Sequence, residues 1–490
     1  MRVNLAGYNI DADVIEELKK QSSERQDVTP ETLSAAYARI SRDPRPIDEL
    51  RESARKEVEK ARNSNSAIIF KMGHHSVAEH AVFNFDIIGV SRLALEALEK
   101  FRLSSYTEKS QRYITLTDDY VIPEEIEKAG FTDLFKDTIK KQNAFYHNLY
   151  GELKNYIFGQ HPDMAKDPKQ EHILDGWAKE DARYTVSLAT QGQVGLTINA
   201  RNLELLFRRF ASHAFDEVRN LGLEMYKAVE KIAPSIILFT KANDFDEKTY
   251  RELRKLILLK IRDFGAENLS DVELIDYTLD GDLKIVAALM HAATHRSYAY
   301  CMGVARGLTE EQKLEIIKRS CQYMEFYDAN LREFEYADLT FNLIVSSACF
   351  GQLKRHRMAS ISTQPYDPAL GFTLPESIVK IKRQKDFEDI IQLTNEAYNI
   401  MYEKIGDSAA YILTNSHRRR VLLKINAREL YHFSRLREDS HSQWDIRNIS
   451  SKMSHLAKKI MPLTFCLLAG KDHYPKVYEG VYGQAPKILP

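Results

Sequence analysis

The chain has 490 residues, of which 44% are hydrophobic and 28% charged, a composition ordinary for a soluble globular protein of about two or three domains. Its formal net charge is −1, and no apolar stretch approaches the roughly 18 residues that span a bilayer, so neither a nucleic-acid nor a membrane partner is expected. Four cysteines without CxxC spacing and an opening without signal-peptide features favour reduced thiols in a cytoplasmic protein.

The N-terminal half alternates between predicted strands and helices. The β-rich opening VNLAGYN (3–9) leads into the helix DVIEELKKQ. The alternating run HAVFNFDIIGV (80–90) predicts a half-buried strand, and the helix SRLALEALEKFR follows it. SSYTEKSQRY (104–113) is interpreted as a polar loop, and VGLTINA (194–200) as another strand leading into a helix.

The C-terminal half repeats this order. VELIDYT, FEYADLTF, RHRMAS, LKINAR and SHSQWDIR match VNLAGYN, AEHAVFNF, KFRLSS, LTINAR and SHAFDEVR in the same sequence. The repeat predicts two homologous domains, 1–235 and 271–490, joined by a helical linker, 236–270. The extra residues of the first copy lie mostly between Tyr113 and Asp181. Strands and long helices in each half predict an α/β fold of the α+β type, with a mixed or antiparallel sheet in each domain.

Two motifs of the first half carry polar side chains. In GHHSVAEH (73–80), His75 and His80 point about 140° apart on a helix, so we expect a polar cluster that lines a pocket and predict no metal site. In the polar loop, Glu108, Ser110 and Arg112 alternate and so point the same way, which suits a phosphate. The alternative is a solvated loop.

Further polar motifs follow predicted strands or helices. INAR occurs twice, and its Asn and Arg could bind a ligand or cap a helix. RLREDSHSQWDIR is interpreted as one charged helix with Arg437 and His441 on the same face. The basic run Arg418 to Arg420 is interpreted as a solvated loop or an interface.

This set of motifs resembles the flavin-dependent thymidylate synthases, ThyX, in both halves. The family pattern is R-H-R-x-x-S-x-N-E-x-S-x-R-Y, with G-H-x-[ST]-x-x-E-H upstream and N-A-R … L-R-x-D-S-H-x-Q-x-E-I downstream. The first half has Lys100-Phe101-Arg102 in place of R-H-R and Ala97 in place of the preceding Gln. It nevertheless retains the residues that match the later positions, Glu108, Ser110, Arg112, Tyr113 and Arg183.

The second half diverges in the complementary way. It retains Arg355-His356-Arg357, with Gln352 before it and Arg437 after it. Pro365 replaces the loop serine, and Ala410 stands where the first half has Arg183. Because each group lost from one half survives in the other, the resemblance implies one composite site built from both halves, and a homodimer that mimics the family homotetramer.

The resemblance implies a reductive methylation of dUMP to dTMP with methylenetetrahydrofolate, NADPH and FAD. Arg437 would be catalytic. The dUMP-binding residues would be Glu108, Ser110, Gln111, Arg112, Arg183, Gln352, Arg355 and Arg437. The FAD-binding residues would be Ser76, Glu79, Asn199, Arg201, Arg355, His356, Arg357, Asn426, Arg428 and His432. His74 and Tyr113 would line the folate side.

Two other functions compete with this one. The losses in both halves also fit a catalytically inactive paralogue that binds nucleotide or flavin. A nucleic-acid binder would use the two basic runs, but clustered basic charge and aromatic stacking platforms are missing from the sequence. One alignment stays open here: Arg209 matches Arg437 only if one residue is deleted after Asn199.

Overall fold

We describe a computed structural model, in which residues 1–18, 20, 27–39, 45–67, 69, 74–261, 269–325 and 328–487 are described. Gly73 of the GHHSVAEH motif and residues 262–268 of the predicted linker lie outside these ranges. Among the described helices, none combines the length and apolar composition needed to cross a membrane.

The described residues form eight strands and a larger set of helices. The strands are β1 Arg2–Tyr8, β2 Val82–Ser91, β3 Ser104–Glu108, β4 Gln191–Asn199, β5 Val272–Tyr277, β6 Asp338–Ser346, β7 Ser360–Thr363 and β8 Arg418–Asn426. The α-helices are α1 Ala12–Leu18, α2 Glu31–Arg39, α3 Ile47–Lys56, α4 Val58–Ser66, α5 Arg92–Leu98, α6 Glu124–Lys128, α7 Thr132–Gln160, α8 Pro162–Ala165, α9 Pro168–Ala182, α10 Ala200–Ala211, α11 Asp216–Val229, α12 Asp244–Leu258, α13 Gly281–Ala292, α14 Tyr298–Gly307, α15 Glu310–Cys321, α16 Ser347–Leu353, α17 Glu376–Lys380, α18 Gln384–Ile405, α19 Ala427–Arg437, α20 Trp444–Ile460 and α21 Tyr474–Tyr482. Short 3₁₀ turns cover His75–His80, Arg183–Thr185, Arg332–Tyr336, Pro368–Leu370 and Gly406–Ile412.

The chain divides into two compact units that do not coincide with the sequence halves. Unit 1 contains residues 1–179, 186–265 and 392–413, and unit 2 contains residues 180–185, 266–391 and 414–490. Each unit therefore includes one segment of the opposite half. These units describe packing and not homology, so the domain boundaries 1–235, 236–270 and 271–490 stay a prediction.

Unit 1 is built on an antiparallel sheet of order β1-β2-β4-β3. Along β2, Phe83, Phe85 and Ile87 are almost fully buried while the residues between them are more exposed, the alternation expected of a strand with one face on the core. The register of β2 on β4 shifts at Gly89, whose φ of +72° a side chain would disfavour. Apolar residues of α5, α10 and α11 complete the core.

Unit 2 repeats this architecture with a sheet of order β5-β6-β8-β7, again antiparallel throughout. Leu339, Phe341 and Leu343 of β6 are fully buried and pack with residues of α13, α19 and α20. The registers also correspond: Asn199 of β4 pairs with Val82 and Asn426 of β8 pairs with Asp338, each at the start of its partner strand. The predicted α+β fold with two similar sheets is confirmed.

Three local interpretations were wrong. SSYTEKSQRY is not a loop throughout, because its first five residues form β3 and hydrogen bond to β4; backbone pairing outweighs their polar composition. Arg437 and His441 do not share a helix, since α19 ends at Arg437 and Asp439 accepts a hydrogen bond from the His441 backbone N–H in a turn before α20. Arg418 to Arg420 begin β8 instead of forming a solvated loop, while the alternative of an interface stays a prediction.

The first half carries its extra residues in helices. The helices α8 and α9 follow the 29-residue α7, whereas only the 3₁₀ turn Gly406–Ile412 separates α18 from β8 in the second half. The predicted linker contains α12, whose Asp246 side chain is buried in ion pairs with Arg208 and Arg209. Ile236 and Ile237 before it belong to the core of unit 1.

Candidate active site

The cationic motif Arg355-His356-Arg357 follows the end of α16 in unit 2. The His356 side chain is 3% exposed, and its ring packs against Phe433 with the ring centroids 4.4 Å apart. Arg437, the last residue of α19, donates from Nε to His356 Nε2 at 2.9 Å. The turn after α16, which carries Arg355 to Arg357, is thus tied to the residue predicted to be catalytic.

The His356 imidazole is neutral, with its proton on Nδ1. A guanidinium N–H can only donate, so Nε2 must be the acceptor and Nδ1 the donor, which reaches Glu429 Oε1 at 3.3 Å. Burial, and then the positive charge of Arg437, hold the pKa of His356 well below its usual range. The positive charge of this group therefore resides on Arg437 at neutral pH.

Arg437 is also linked to Gln352, on the last turn of α16. One guanidinium nitrogen donates to the Gln352 backbone carbonyl at 3.3 Å. The Gln352 side chain in turn donates from Nε2 to Gln443 Oε1 at 2.7 Å, and Gln443 is fully buried. Three of the predicted site residues of the second half, Gln352, His356 and Arg437, therefore form one hydrogen-bonded group.

A segment of the first half belongs to the same unit. Residues 180–185 are buried, and Arg183 itself is 5% exposed. Asn415 donates to the Arg183 carbonyl at 2.9 Å, and the Trp444 indole donates to Asp181 at 2.8 Å. Unit 2 thus contains Arg183, which only the first half retains, together with the cationic motif, which only the second half retains.

The sequence interpretation missed a buried group that joins this segment to the site. The Tyr184 hydroxyl accepts from Gln443 Nε2 and lies 2.9 Å from Asp445 Oδ2, to which it donates. Ser346 Oγ donates to the same Asp445 oxygen at 2.6 Å and caps α16 by accepting from the Cys349 N–H. The repeat was the available signal. Ser91 and Glu217 of the first half match Ser346 and Asp445, and Tyr411 of the second half matches Tyr184.

The predicted phosphate loop lies in unit 1, directly after β3. Ser110 Oγ accepts from the Arg112 backbone N–H at 3.2 Å, and the Arg112 guanidinium lies 5.5 Å from the centroid of the Tyr113 ring. Gln111 is buried, Tyr113 is 69% exposed, and Glu108 forms a 4.0 Å ion pair with buried Arg92.

The residues assigned to FAD differ in their surroundings. Asn199 and Asn426 cap α10 and α19 with their side chains. The arginine two positions after each Asn pairs with a glutamate of the preceding 3₁₀ turn, Arg201 with Glu79 and Arg428 with Glu335 at 3.2 Å. Four further residues assigned to FAD or to the folate side are exposed: His74, Ser76, Arg357 and His432.

In unit 1, apolar side chains occupy the positions that match the polar pair of unit 2. Phe101 stands at the position of His356, and its ring packs edge-on against Phe210 with centroids 5.8 Å apart. Phe210 is therefore the counterpart of Arg437. Arg209, which the other alignment would match to Arg437, instead forms an ion pair with Asp246 at 2.8 Å. The first half has replaced a histidine–arginine pair by a phenylalanine pair.

The model of the family described as thymidylate synthase complementing protein matches residues 25–235 and 273–463. The chain belongs to this family. The match covers most of both halves, so the ThyX resemblance and the tandem repeat predicted from the motifs are confirmed.

The relatives of the chain include flavin-dependent thymidylate synthases and UPF0159 proteins. A flavin-dependent thymidylate synthase of Clostridium tetani is 31% identical over 215 residues, which cover 43% of this chain and 82% of the relative. A UPF0159 protein of Chlamydia muridarum is 25% identical over 416 residues, which cover 81% of this chain and 78% of the relative. The ThyX structure of Helicobacter pylori complexed with FAD and dUMP shares 18% identity and a TM-score of 0.32, covering 49% of this chain and all of that one.

Proposed function

We propose that the chain is an FAD-dependent thymidylate synthase, which methylates dUMP reductively with methylenetetrahydrofolate and NADPH, at a site that uses residues of both sequence halves. One observation carries the proposal. Arg183, present only in the first half, belongs to the same compact unit as Gln352, His356 and Arg437, present only in the second. Random decay of two copies would not retain complementary groups within one packed unit.

The chain's own residues supply charge and position. Arg183 holds the dUMP phosphate through charge-assisted hydrogen bonds, and Glu108, Ser110, Gln111 and Arg112 are the further dUMP-binding residues that the ThyX resemblance implies. Arg437 stabilises negative charge on the pyrimidine, since its guanidinium stays protonated while its neighbour His356 stays neutral. Gln352 and Arg355 contact the nucleotide from α16 and the turn after it.

The donor set of unit 2 fits FAD. Guanidinium groups suit a diphosphate, and Arg355, Arg357 and Arg428 together with exposed His432 offer such donors around the end of α16 and on α19. Bound FAD would supply the hydride chemistry that no side chain can perform. Asn426 would act indirectly by capping α19, and the first-half residues Ser76, Glu79, Asn199 and Arg201 would be secondary. His74 and Tyr113 would meet the folate.

The matching positions of unit 1 would not form a second site. Phe101 and Phe210 cannot donate or accept, and Ala97 stands in the place of Gln352. We therefore expect one kind of site per chain, and a homodimer as the working assembly.

The test is tritium release from [5-³H]dUMP by full-length protein with FAD, NADPH and methylenetetrahydrofolate. We expect wild-type release, with losses of roughly 100-fold or more for Arg437→Ala, Arg183→Ala and Arg112→Ala, as for other electrostatic groups of active sites. Arg209→Ala is the matched control, because it removes a helix-terminal arginine that pairs with Asp246 instead, and it should retain activity.

The inactive paralogue is the second candidate, and the phenylalanine pair of unit 1 is the observation that favours it. Purified protein that retains flavin absorbance and binds dUMP but releases no tritium would establish that function and exclude the synthase. Equal activity of Arg183→Ala and wild type would contradict a site built from both halves.

A further inference from the structure

The buried group around Tyr184 has two parts. The first is an anchor, in which the Asp445 carboxylate accepts hydrogen bonds from Tyr184 and from Ser346, the cap of α16. The second is an extension, in which Gln443 donates to the Tyr184 hydroxyl and accepts from the Gln352 side chain. Every N–H or O–H in this series donates towards Asp445, so an ionised Asp445 fixes the orientation of both amides.

Unit 1 contains the same anchor. Tyr411, which unit 1 takes from the second half, donates to Glu217 at 2.9 Å, and Ser91 Oγ donates to the same Glu217 oxygen at 2.5 Å. Ser91 also caps its helix, α5, as Ser346 caps α16. The anchor is therefore common to both units, and in each the carboxylate joins a helix cap to a segment of the opposite half.

Unit 1 lacks the extension. Phe215 stands at the position of Gln443, and its ring lies 5.4 Å from that of Tyr411. Ala97 stands at the position of Gln352, so neither amide is present. Unit 1 thus forms the same sheet order without the two amides. They occur only in the unit that retains the cationic motif.

The extension ends on the residues that would meet the substrate. It fixes the Gln352 side chain, and the Gln352 carbonyl accepts from Arg437, whose Nε is held by His356. We propose that Tyr184 and Gln443 are positioning residues, which hold the Gln352 side-chain amide in the orientation that binds the nucleotide. Through the backbone carbonyl of Gln352 they also hold the Arg437 guanidinium. This inference rests on the proposed function, because it takes Gln352 and Arg437 as dUMP-binding residues.

The variant that isolates the extension is Gln443→Met, which keeps side-chain volume and leaves the anchor intact. Tyr184→Phe removes the shared hydroxyl, and Tyr411→Phe removes its counterpart in unit 1 and serves as the matched control. Emission of Trp444, whose ring stacks on Tyr184, checks in a Trp177→Phe background that unit 2 is folded. Binding of dUMP is measured by equilibrium dialysis on the full-length protein with FAD, beside the tritium-release assay.

Gln443→Met and Tyr184→Phe should weaken dUMP binding by about threefold to tenfold, the usual worth of one buried hydrogen bond. Tyr411→Phe should change it by less than about twofold. In a Gln352→Ala background, Gln443→Met should have almost no further effect, because residues that act through one partner are not additive.

Each outcome decides. An equal loss for Gln443→Met with and without Gln352, an equal loss for Tyr411→Phe, or no dUMP binding by wild type would overturn the inference. Wild-type protein that releases no tritium but shows the expected pattern in dUMP binding would refute the proposed synthase and leave the positioning role in place. Tritium release without that pattern would refute the positioning role alone.

Discussion

The buried carboxyl of Asp181 should make unit 2 less stable as the pH rises. Asp181 accepts hydrogen bonds from Ser377 Oγ at 2.5 Å and from the Trp444 indole at 2.8 Å. Burial nevertheless dominates and raises its pKa from 3.8 to about 6, with the nearby Glu180 charge acting in the same direction and Arg183 against it. Between these two pH values the folded state binds more protons than the unfolded state, so stability falls as the pH increases.

The magnitude follows from the pKa difference. Raising the pKa from 3.8 to about 6 costs the ionised form about 3 kcal/mol, at 1.36 kcal/mol per pKa unit. In Asp181→Asn the amide cannot accept from both donors, which costs about 1 kcal/mol at every pH. The variant should therefore be less stable than wild type by about 1 kcal/mol below pH 4 and more stable by about 2 kcal/mol above pH 6.

The two tryptophans allow each unit to be followed alone. Trp177 lies in unit 1 and Trp444 in unit 2, so urea unfolding in a Trp177→Phe background reports on unit 2. Asp175→Asn, followed through Trp177 in a Trp444→Phe background, is the opposite control. Hydrogen bonds from Lys179 and Tyr150 outweigh burial and lower the pKa of Asp175, so its substitution should destabilise unit 1 above pH 4. Parallel stability curves for Asp181→Asn and wild type would refute the reasoning.

Three further predictions concern the paired features of the two units, each measured by hydrogen exchange of unit-specific peptides. Phe210→Arg should destabilise unit 1 by roughly 3 kcal/mol or more, because it buries a charge beside Phe101. Adding Phe101→His should recover about 1 kcal/mol or more of that stability. No recovery would contradict the match of this pair to His356 and Arg437. Glu217→Ala should lower the free energy of unfolding of unit 1 by about 3 kcal/mol, since Ser91 and Tyr411 lose their acceptor. Tyr411→Phe should lower it by about 1 kcal/mol. Equal losses for the two variants would count against the anchor. Glu335→Gln should change stability by less than about 1 kcal/mol, because its partner Arg428 is one-third exposed; a larger loss would show that the pair is structural.

Alternation identified the strands that build each sheet. Along residues 82–87 of β2 and 338–343 of β6, buried residues alternate with more exposed ones, so hydrophobic periodicity carries the information locally. The same reasoning failed for β3 and for the start of β8, whose polar and basic residues pair with neighbouring strands. There the tertiary partner decides, and a single segment does not reveal it.

The site was predictable to the extent that motifs are local. The end of α16 with Arg355 to Arg357 and the caps at Asn199 and Asn426 follow from short patterns. The link from Tyr184 to Gln443 joins residues 259 positions apart, and no spacing rule reaches that far. The register of Phe210 against Arg437 was open in sequence and was settled by what each side chain touches.

The exchange of segments between the units makes the two halves depend on each other for folding. A fragment of residues 1–235 would lack Tyr411 and leave the buried Glu217 carboxyl short of a donor, while a fragment of residues 271–490 would leave Asp445 without Tyr184. Two separate chains would have to supply these segments by association, at a cost that falls with protein concentration. The fused chain supplies both segments at the effective concentration set by its connections, so the association of its two halves should be independent of dilution, whereas the association of the severed halves is not.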